Sequence, residues 1–351
     1  MTTYESRNDK SSILLIYTGG TIGMKEDPAI HALRPFDFNQ ILEEVPELGK
    51  FACRIDSYTF SPLIDSSDIE PSLWVSLVEL IEERYDSYDG FVILHGTDTM
   101  AYSASALSFM LEGLTKPVIF TGSQLPIGIP RTDGKENLIS AVEIAAAKDQ
   151  EGHAIVPEVC ICFDNVLMRG NRTTKVNSDN FRAFRSENLP PLAEAGISIR
   201  YNTSLIRRPD SWDARPIFRK NLDTRVSILK LHPGMTPSVV RNILCSPDSR
   251  AVIIETYGAG NAPSKEWFLS IVRDASEMGK ILLNVTQCLA GSVNMDLYAT
   301  GKTLKEAGVA DGYDSTTESA LAKLFYLMGV FDENDKVRYS LGINLRGEIS
   351  K

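Results

Sequence analysis

The sequence predicts an α/β protein. A larger N-terminal domain is built on a mostly parallel sheet covered by helices, and a smaller α/β domain follows it. Three observations carry this. Short apolar, β-prone runs alternate with segments of helical period along most of the chain. Such alternation favours parallel strands joined by helical crossovers. The alternation breaks once, over Tyr201–Leu222, and then resumes on a smaller scale.

Taken in order, Ile13–Tyr17 reads as a buried strand, a helix is expected around Asp37–Val45, and Arg54–Phe60 is a strand. Pro71 opens a helix whose apolar face is Trp74, Leu77, Val78 and Ile81, the 3–4 spacing of an amphipathic helix. The strand Phe91–His95 feeds a helix from about Met100. On that helix Ala101, Ala104, Ser105 and Ser108 form a small-residue stripe suited to close packing on a sheet. Pro117–Thr121 is a strand, Lys135–Lys148 a helix and Val159–Phe163 a strand. The break holds Arg207-Arg208-Pro209, Asp210-Ser211-Trp212-Asp213 and Pro216 without a clear period, the signature of a linker. The expected division is a first domain over 1–205, a linker over 206–225 and a smaller domain over 226–351. In the latter, Val226–Leu231, Ala251–Glu255 and Ile281–Val285 are strands, and Pro237–Cys245 and Ser264–Met278 are helices. Ser315 with Glu318 forms a capping box for a helix ending near Gly329.

Composition narrows the partners. The 351 residues carry 43% hydrophobic and 23% charged side chains and a formal net charge of −10. No basic block or aromatic–basic interleaving marks a nucleic-acid or anionic-membrane surface. No run of about 18 apolar residues suits a membrane span, and the polar start, Met1 to Ser12, has no apolar signal core. Cytoplasmic residence is the expectation. The five cysteines, Cys53, Cys160, Cys162, Cys245 and Cys288, are scattered and read as reduced. The four histidines show no metal-ligand spacing, so no metal is expected.

Chemistry concentrates in turns that follow strands, where open α/β sheets place their sites. Thr18-Gly19-Gly20-Thr21 follows the first strand and lacks both phosphate-loop and dinucleotide spacings. A plain βα turn and a functional turn both fit it. His95-Gly96-Thr97-Asp98-Thr99 follows another strand and opens a helix, with Asp98 or Thr97 as cap and free N–H groups suited to a developing negative charge. Asp65-Ser66-Ser67-Asp68 is by itself a polar turn. Beside the other two it is a candidate grip on the charged ends of a small polar ligand. Lys175, in Arg169–Lys175, can serve as base or proton relay, which a threonine hydroxyl requires at neutral pH.

Together these segments resemble the L-asparaginases of the bacterial type, specifically the cytoplasmic type I branch. The resemblance runs from Tyr17 to Leu345 through YTGGTIGM (17–24), PLIDSSD (62–68), DGFVILHGTDTMAYSASALSFML (89–111), GNRTTK (170–175) and YGAGNAP (257–263). It implies a Rossmann-like N-terminal domain, a smaller C-terminal α/β domain, and hydrolysis of L-asparagine to L-aspartate and ammonia without a cofactor. It also implies assembly as a homodimer or homotetramer. Thr21 matches the nucleophilic threonine. Thr97, Asp98 and Lys175 match the second triad. Asp65, Ser66 and Ser67 match the substrate-binding turn, with Thr97 and Asp98 also touching substrate. Two departures stand out. Met24–Leu33 holds no tyrosine, where many relatives place one that assists the first threonine. Glu255 stands where some type I members have an arginine for a second asparagine site, which argues against allosteric activation. The alternatives are the asparaginase-like subunit of a tRNA-dependent amidotransferase, a glutaminase side activity, and a non-catalytic amino-acid sensor, the last opposed by intact Thr21, Thr97, Asp98 and Lys175.

Overall fold

The computed structural model describes residues 2–3, 11–27, 32–35, 41–297 and 299–351. The chain divides into two units, Met1–Lys220 and Asn221–Lys351. The first is built on a nine-stranded sheet. Its parallel part runs, in spatial order, Arg54–Thr59, Ser12–Tyr17, Gly90–Leu94, Val118–Thr121 and Val159–Phe163. Val166–Arg169, Ala193–Ala195, Ile199–Tyr201 and Thr2–Thr3 extend it antiparallel. Counted along the chain, the parallel strands lie in the order 2-1-3-4-5. The first strand therefore has the second on one side and the third on the other, and a crevice opens where the crossovers diverge.

The inner strands are apolar on both faces because helices cover both. Gly90–Leu94 and Val159–Phe163 are buried throughout. Helix Pro71–Arg84 buries Leu73, Trp74, Leu77, Val78, Leu80 and Ile81, the expected stripe and its flank. Helix Met100–Met110 buries almost every residue. Its small side chains let the turn Gly170–Arg172 come close, for a Cβ on Gly170 would lie 3.0 Å from the Ala104 Cβ.

Several expectations change in detail. The helix expected around Asp37–Val45 is seen as Ile41–Glu44, and 37–40 lie outside the described residues. Of the expected linker, the part before Lys220 packs in the first unit. Ile206 is buried, Ile217–Phe218 pairs with Leu111–Glu112, and Phe218 stands edge-on to Tyr85 at 5.5 Å. A two-residue strand is too short to leave a period in sequence. The capping box fails as well. Thr316 caps helix Thr317–Val330 by accepting from the Ser319 N–H at 3.1 Å, while the Ser315 hydroxyl donates to the Gly312 carbonyl.

The second unit holds four parallel strands, Val226–Lys230, Ala251–Thr256, Ile281–Thr286 and Val309–Asp311. Its core gathers Leu229, Val240, Ile254, Phe268, Val272 and Leu282. All five cysteines are unpaired. Cys160 and Cys162 are buried on one strand, and burial pushes the Cys162 thiol up to about 12.

One buried ion pair ties the first unit together. Arg169 donates to Glu158 at 2.6 and 3.2 Å and to the Leu205 carbonyl at 2.7 Å, and Glu158 also accepts the Arg207 N–H. Replacing Arg169 with Leu strands a buried carboxylate. The unfolding free energy measured in urea should fall by about 3–5 kcal/mol. A change below about 1 kcal/mol would mean that the pair is dispensable.

Candidate active site

Three turns meet at the carboxyl ends of Ser12–Tyr17 and Gly90–Leu94, and glycine makes their approach possible. Gly20 has φ 93°, and a Cβ on it would lie 2.5 Å from the Gly96 backbone nitrogen. A Cβ on Gly19 would sit 2.2 Å from the Ile64 carbonyl oxygen, and one on Gly96 would sit 2.4 Å from Ser66 Oγ. No side chain larger than hydrogen fits at any of the three. Hydrogen bonds close the junction. Thr18 donates its N–H and its hydroxyl to the Leu94 carbonyl, each at 3.0 Å. Ile64 donates its N–H to the Thr18 carbonyl at 2.9 Å.

Thr21 follows directly, as the first residue of a short 3-10 turn, Thr21–Gly23. Lys175 Nζ donates to Thr97 Oγ1 at 2.8 Å and to Asp98 Oδ1 at 2.7 Å. The lysine side chain is 18% exposed and the aspartate 62%, so the ammonium is held inside while the carboxylate meets the open crevice. Lys175 gets there from the short strand Thr174–Lys175, which follows the turn Gly170–Arg172. Thr173 anchors that turn by donating its hydroxyl to the Arg169 carbonyl at 2.7 Å. Buried Ser66 joins the second and third turns. Its Oγ accepts the Asp98 N–H at 3.3 Å, and its carbonyl accepts the Thr99 hydroxyl at 2.7 Å. Asp65 caps its own turn by accepting from the Ser67 N–H at 2.9 Å and the Ser67 hydroxyl at 2.8 Å. Those two bonds hold its carboxyl below its ordinary pKa.

The structure thus brings Thr97, Asp98 and Lys175 into one hydrogen-bonded group, with Ser66 beside it and Gly20 packed on the adjoining Gly96 backbone. One expectation is corrected. Neither Thr97 nor Asp98 caps helix Met100–Met110. Thr99 occupies the cap position without a side-chain capping bond, because Asp98 is engaged with Lys175.

Sequence reasoning missed four contributors. Gln124 lies just beyond the end of Val118–Thr121, within 3.5 Å of Thr97 Oγ1. The rule that led to the other turns, a polar residue after a parallel strand, would have found it. The rest form a buried chain. His95 Nδ1 lies 2.6 Å from the Gly96 carbonyl oxygen and Nε2 lies 2.9 Å from Ser103 Oγ. Ser103 Oγ accepts the Trp74 indole N–H at 2.8 Å. A carbonyl only accepts, so Nδ1 carries the proton and Nε2 accepts the Ser103 hydroxyl. Spacing alone gives no hint that Trp74 belongs to more than the core. Among the described residues, no group of three or more His, Cys, Asp or Glu could hold a metal, and no helix is long and apolar enough to cross a membrane.

The family model for the N-terminal domain of asparaginases matches residues 12–207, and that for the glutaminase/asparaginase C-terminal domain matches 225–340. The chain belongs to the asparaginase family. It is 44% identical to L-asparaginase 1 of Escherichia coli (strain K12) over 97% of this chain and 98% of that one. It is 41% identical to the 60 kDa lysophospholipase of Mus musculus, over 96% of this chain and 62% of that protein. The crystal structure of L-asparaginase I from Vibrio cholerae superposes with a TM-score of 0.88 at 42% identity, covering 97% of this chain and all of that one. The fold is therefore that of the asparaginase family.

Burial pulls His95 from its ordinary 6.5 down to about 4. Between those values the unfolded chain takes up a proton that the native state refuses, so stability is lost as pH falls from 6.5 towards 4. The loss from this group is about 3 kcal/mol. Urea midpoints of wild type against His95→Asn at pH 7, 5.5 and 4 should show the gap between the two proteins shrink in acid. A constant gap would refute it.

Proposed function

We propose that this protein is an L-asparaginase that hydrolyses L-asparagine to L-aspartate and ammonia. The observation that carries the reading is Lys175 Nζ within hydrogen-bond reach of both Thr97 Oγ1 and Asp98 Oδ1, next to the Gly96 backbone on which Gly20, the residue before Thr21, is packed. Thr21 Oγ attacks the side-chain carboxamide carbon. Its proton passes to the departing nitrogen, ammonia leaves, and an ester joins Thr21 to the aspartyl group. Water, activated through Thr97 with Lys175 as relay, then cleaves the ester. Backbone N–H groups near Thr97 stabilise the oxyanion of both steps. Asp65, Ser66 and Ser67 grip the charged ends of the substrate, and the lowered pKa of Asp65 keeps it anionic opposite the α-ammonium. No protein tyrosine from 24–33 assists Thr21, since that stretch holds none.

Thr21→Ala should abolish turnover while leaving asparagine binding largely intact. Lys175→Met should cost about 10²–10⁴-fold in kcat through lost proton transfer. Peptide mapping after a slow amide analogue should find the adduct on Thr21. An adduct on Thr97, or a near-normal rate for Thr21→Ala, would reverse the assignment. Kinetics on asparagine and glutamine side by side measure the side activity. Ammonia released by the purified chain alone separates this reading from the amidotransferase subunit.

The proposal includes cytoplasmic residence, consistent with five unpaired thiols, and assembly as a homodimer or homotetramer. It also includes the absence of asparagine activation. Glu255 accepts the Thr317 hydroxyl at 2.6 Å and pairs with Lys230 at 3.5 Å, which presents a second carboxylate, not a receptor for one. Asparagine saturation should be hyperbolic, and light scattering should return a multiple of the 38.8 kDa chain. Sigmoidal kinetics would restore a regulatory site, and a fully active monomer would remove the assembly.

A further inference from the structure

We infer that His95, held by Ser103 and Trp74, is a positioning residue that ties back the Gly96 carbonyl and so aims the Thr97 N–H into the crevice. The inference rests on the reading that an amide carbonyl is attacked there. It names what sets one of the donors that meet the developing negative charge.

The geometry starts from the peptide itself. In a planar trans peptide the carbonyl and the following N–H point in opposite directions. The Gly96 carbonyl is turned towards His95 Nδ1 at 2.6 Å, and His95 is 1% exposed, so the carbonyl faces the interior. The Thr97 N–H therefore faces outward, towards the three-turn junction. Among the described residues no acceptor takes that N–H, whereas the next one, from Asp98, goes to Ser66 Oγ. An amide in so crowded a place that is left to a ligand fits a donor kept for substrate.

The imidazole cannot turn away from this task. Its Nε2 is held by the Ser103 hydroxyl at 2.9 Å, and that hydroxyl oxygen takes the Trp74 indole N–H at 2.8 Å. Phe120 stands edge-on to the ring at 5.6 Å. Both ring nitrogens are spent on the protein, so His95 neither takes nor gives a proton in the reaction.

The neighbouring strand repeats the device. Tyr17 pairs with Leu94 across the sheet, so Tyr17 and His95 stand at matching strand ends. The Tyr17 hydroxyl donates to the Gly20 carbonyl at 3.2 Å, and the peptide it holds is the one that carries the Thr21 N–H. A Cβ on Gly23 would collide with the Tyr17 ring, which shows how tightly the ring is seated. Each of the two candidate catalytic threonines is thus preceded by a carbonyl pinned to a buried aromatic side chain.

A donor that acts on the oxyanion serves the transition state and not the bound amide, so its loss appears in kcat and not in KM. His95→Leu removes the pin. It should lower kcat by up to about 100- to 1,000-fold, the range for loss of one oxyanion donor, with KM within about threefold of wild type. His95→Asn keeps a short amide donor opposite Gly96 and should recover most of that loss. Ser103→Ala frees the ring without emptying the core and should cost about three- to tenfold in kcat at unchanged KM. The readout that a merely structural role would not move is ligand discrimination. L-aspartate β-semialdehyde adds the threonine O–H across its carbonyl to give a tetrahedral hemiacetal whose hydroxyl oxygen sits where the oxyanion develops, and it should lose affinity for the His95→Leu and Ser103→Ala proteins in step with kcat. L-aspartate should bind each protein as it binds wild type. If kcat holds within threefold in His95→Leu, or if aldehyde and aspartate weaken equally, the positioning role is wrong. Should His95→Leu not fold, the Ser103→Ala and His95→Asn proteins decide by the same two ligands. A wild-type chain inactive on asparagine would fail the proposed function itself, which keeps the two outcomes apart.

Discussion

The close approach of three backbones at Gly19, Gly20 and Gly96 is the constraint on which the rest of this molecule depends. Gly20 lies so near Gly96 that a single Cβ would fall 2.5 Å from a backbone nitrogen, and Gly96 is just as tight against Ser66. Turns packed to that distance cannot shift independently. Residues from distant parts of the chain are therefore held in fixed relation by main chain, which is stiffer than any side-chain contact. The crossover pattern makes this junction possible. Because the first strand lies between the second and third, the turns after all three meet over one crevice.

A second layer of order supports the first. Lys175 comes from well outside the parallel strand ends, and its position depends on the turn before it. That turn starts at Arg169, whose guanidinium is locked to Glu158, and its exit is fixed by Thr173 on the Arg169 carbonyl. The buried ion pair thus has a positional consequence beyond its contribution to stability. It orients the chain that delivers the ammonium to Thr97 and Asp98. Helix Met100–Met110 joins in through its small side chains, since a larger residue at Ala104 would push Gly170 away.

Polar groups near the crevice divide into two kinds. Thr97, Asp98 and Lys175 bond mainly to each other, at the edge of solvent, where a ligand can exchange with them. His95, Ser103 and Trp74 bond inward and are buried, where exchange with water is closed. The first kind suits chemistry and the second suits geometry. The two kinds meet along residues 95 to 98, where the His95 ring and the Gly96 carbonyl bond to each other in the core and the Thr97 and Asp98 side chains bond to Lys175.

Much of this was legible in the residues themselves. Periodicity revealed the strands, because a strand buried on both faces must be apolar along its length, and it revealed the Pro71–Arg84 helix through its stripe. The motifs pointed to Thr21, Asp65, Ser66, Ser67, Thr97, Asp98 and Lys175 as candidates. What stayed hidden was whatever depends on partners far away in sequence. The two-residue strand at Ile217 has no period to show, and Thr316 rather than Ser315 caps its helix because one residue of rotation decides which hydroxyl meets a free N–H. Trp74 looks like core by every local measure, and only its meeting with Ser103, 29 residues on, gives its indole a polar task. The sequence by itself determined the elements, since backbone sterics and burial are encoded within a few neighbouring residues. Only the tertiary structure decided which carbonyl His95 and Tyr17 hold back, because the direction of a peptide N–H follows from contacts that no spacing along the chain records.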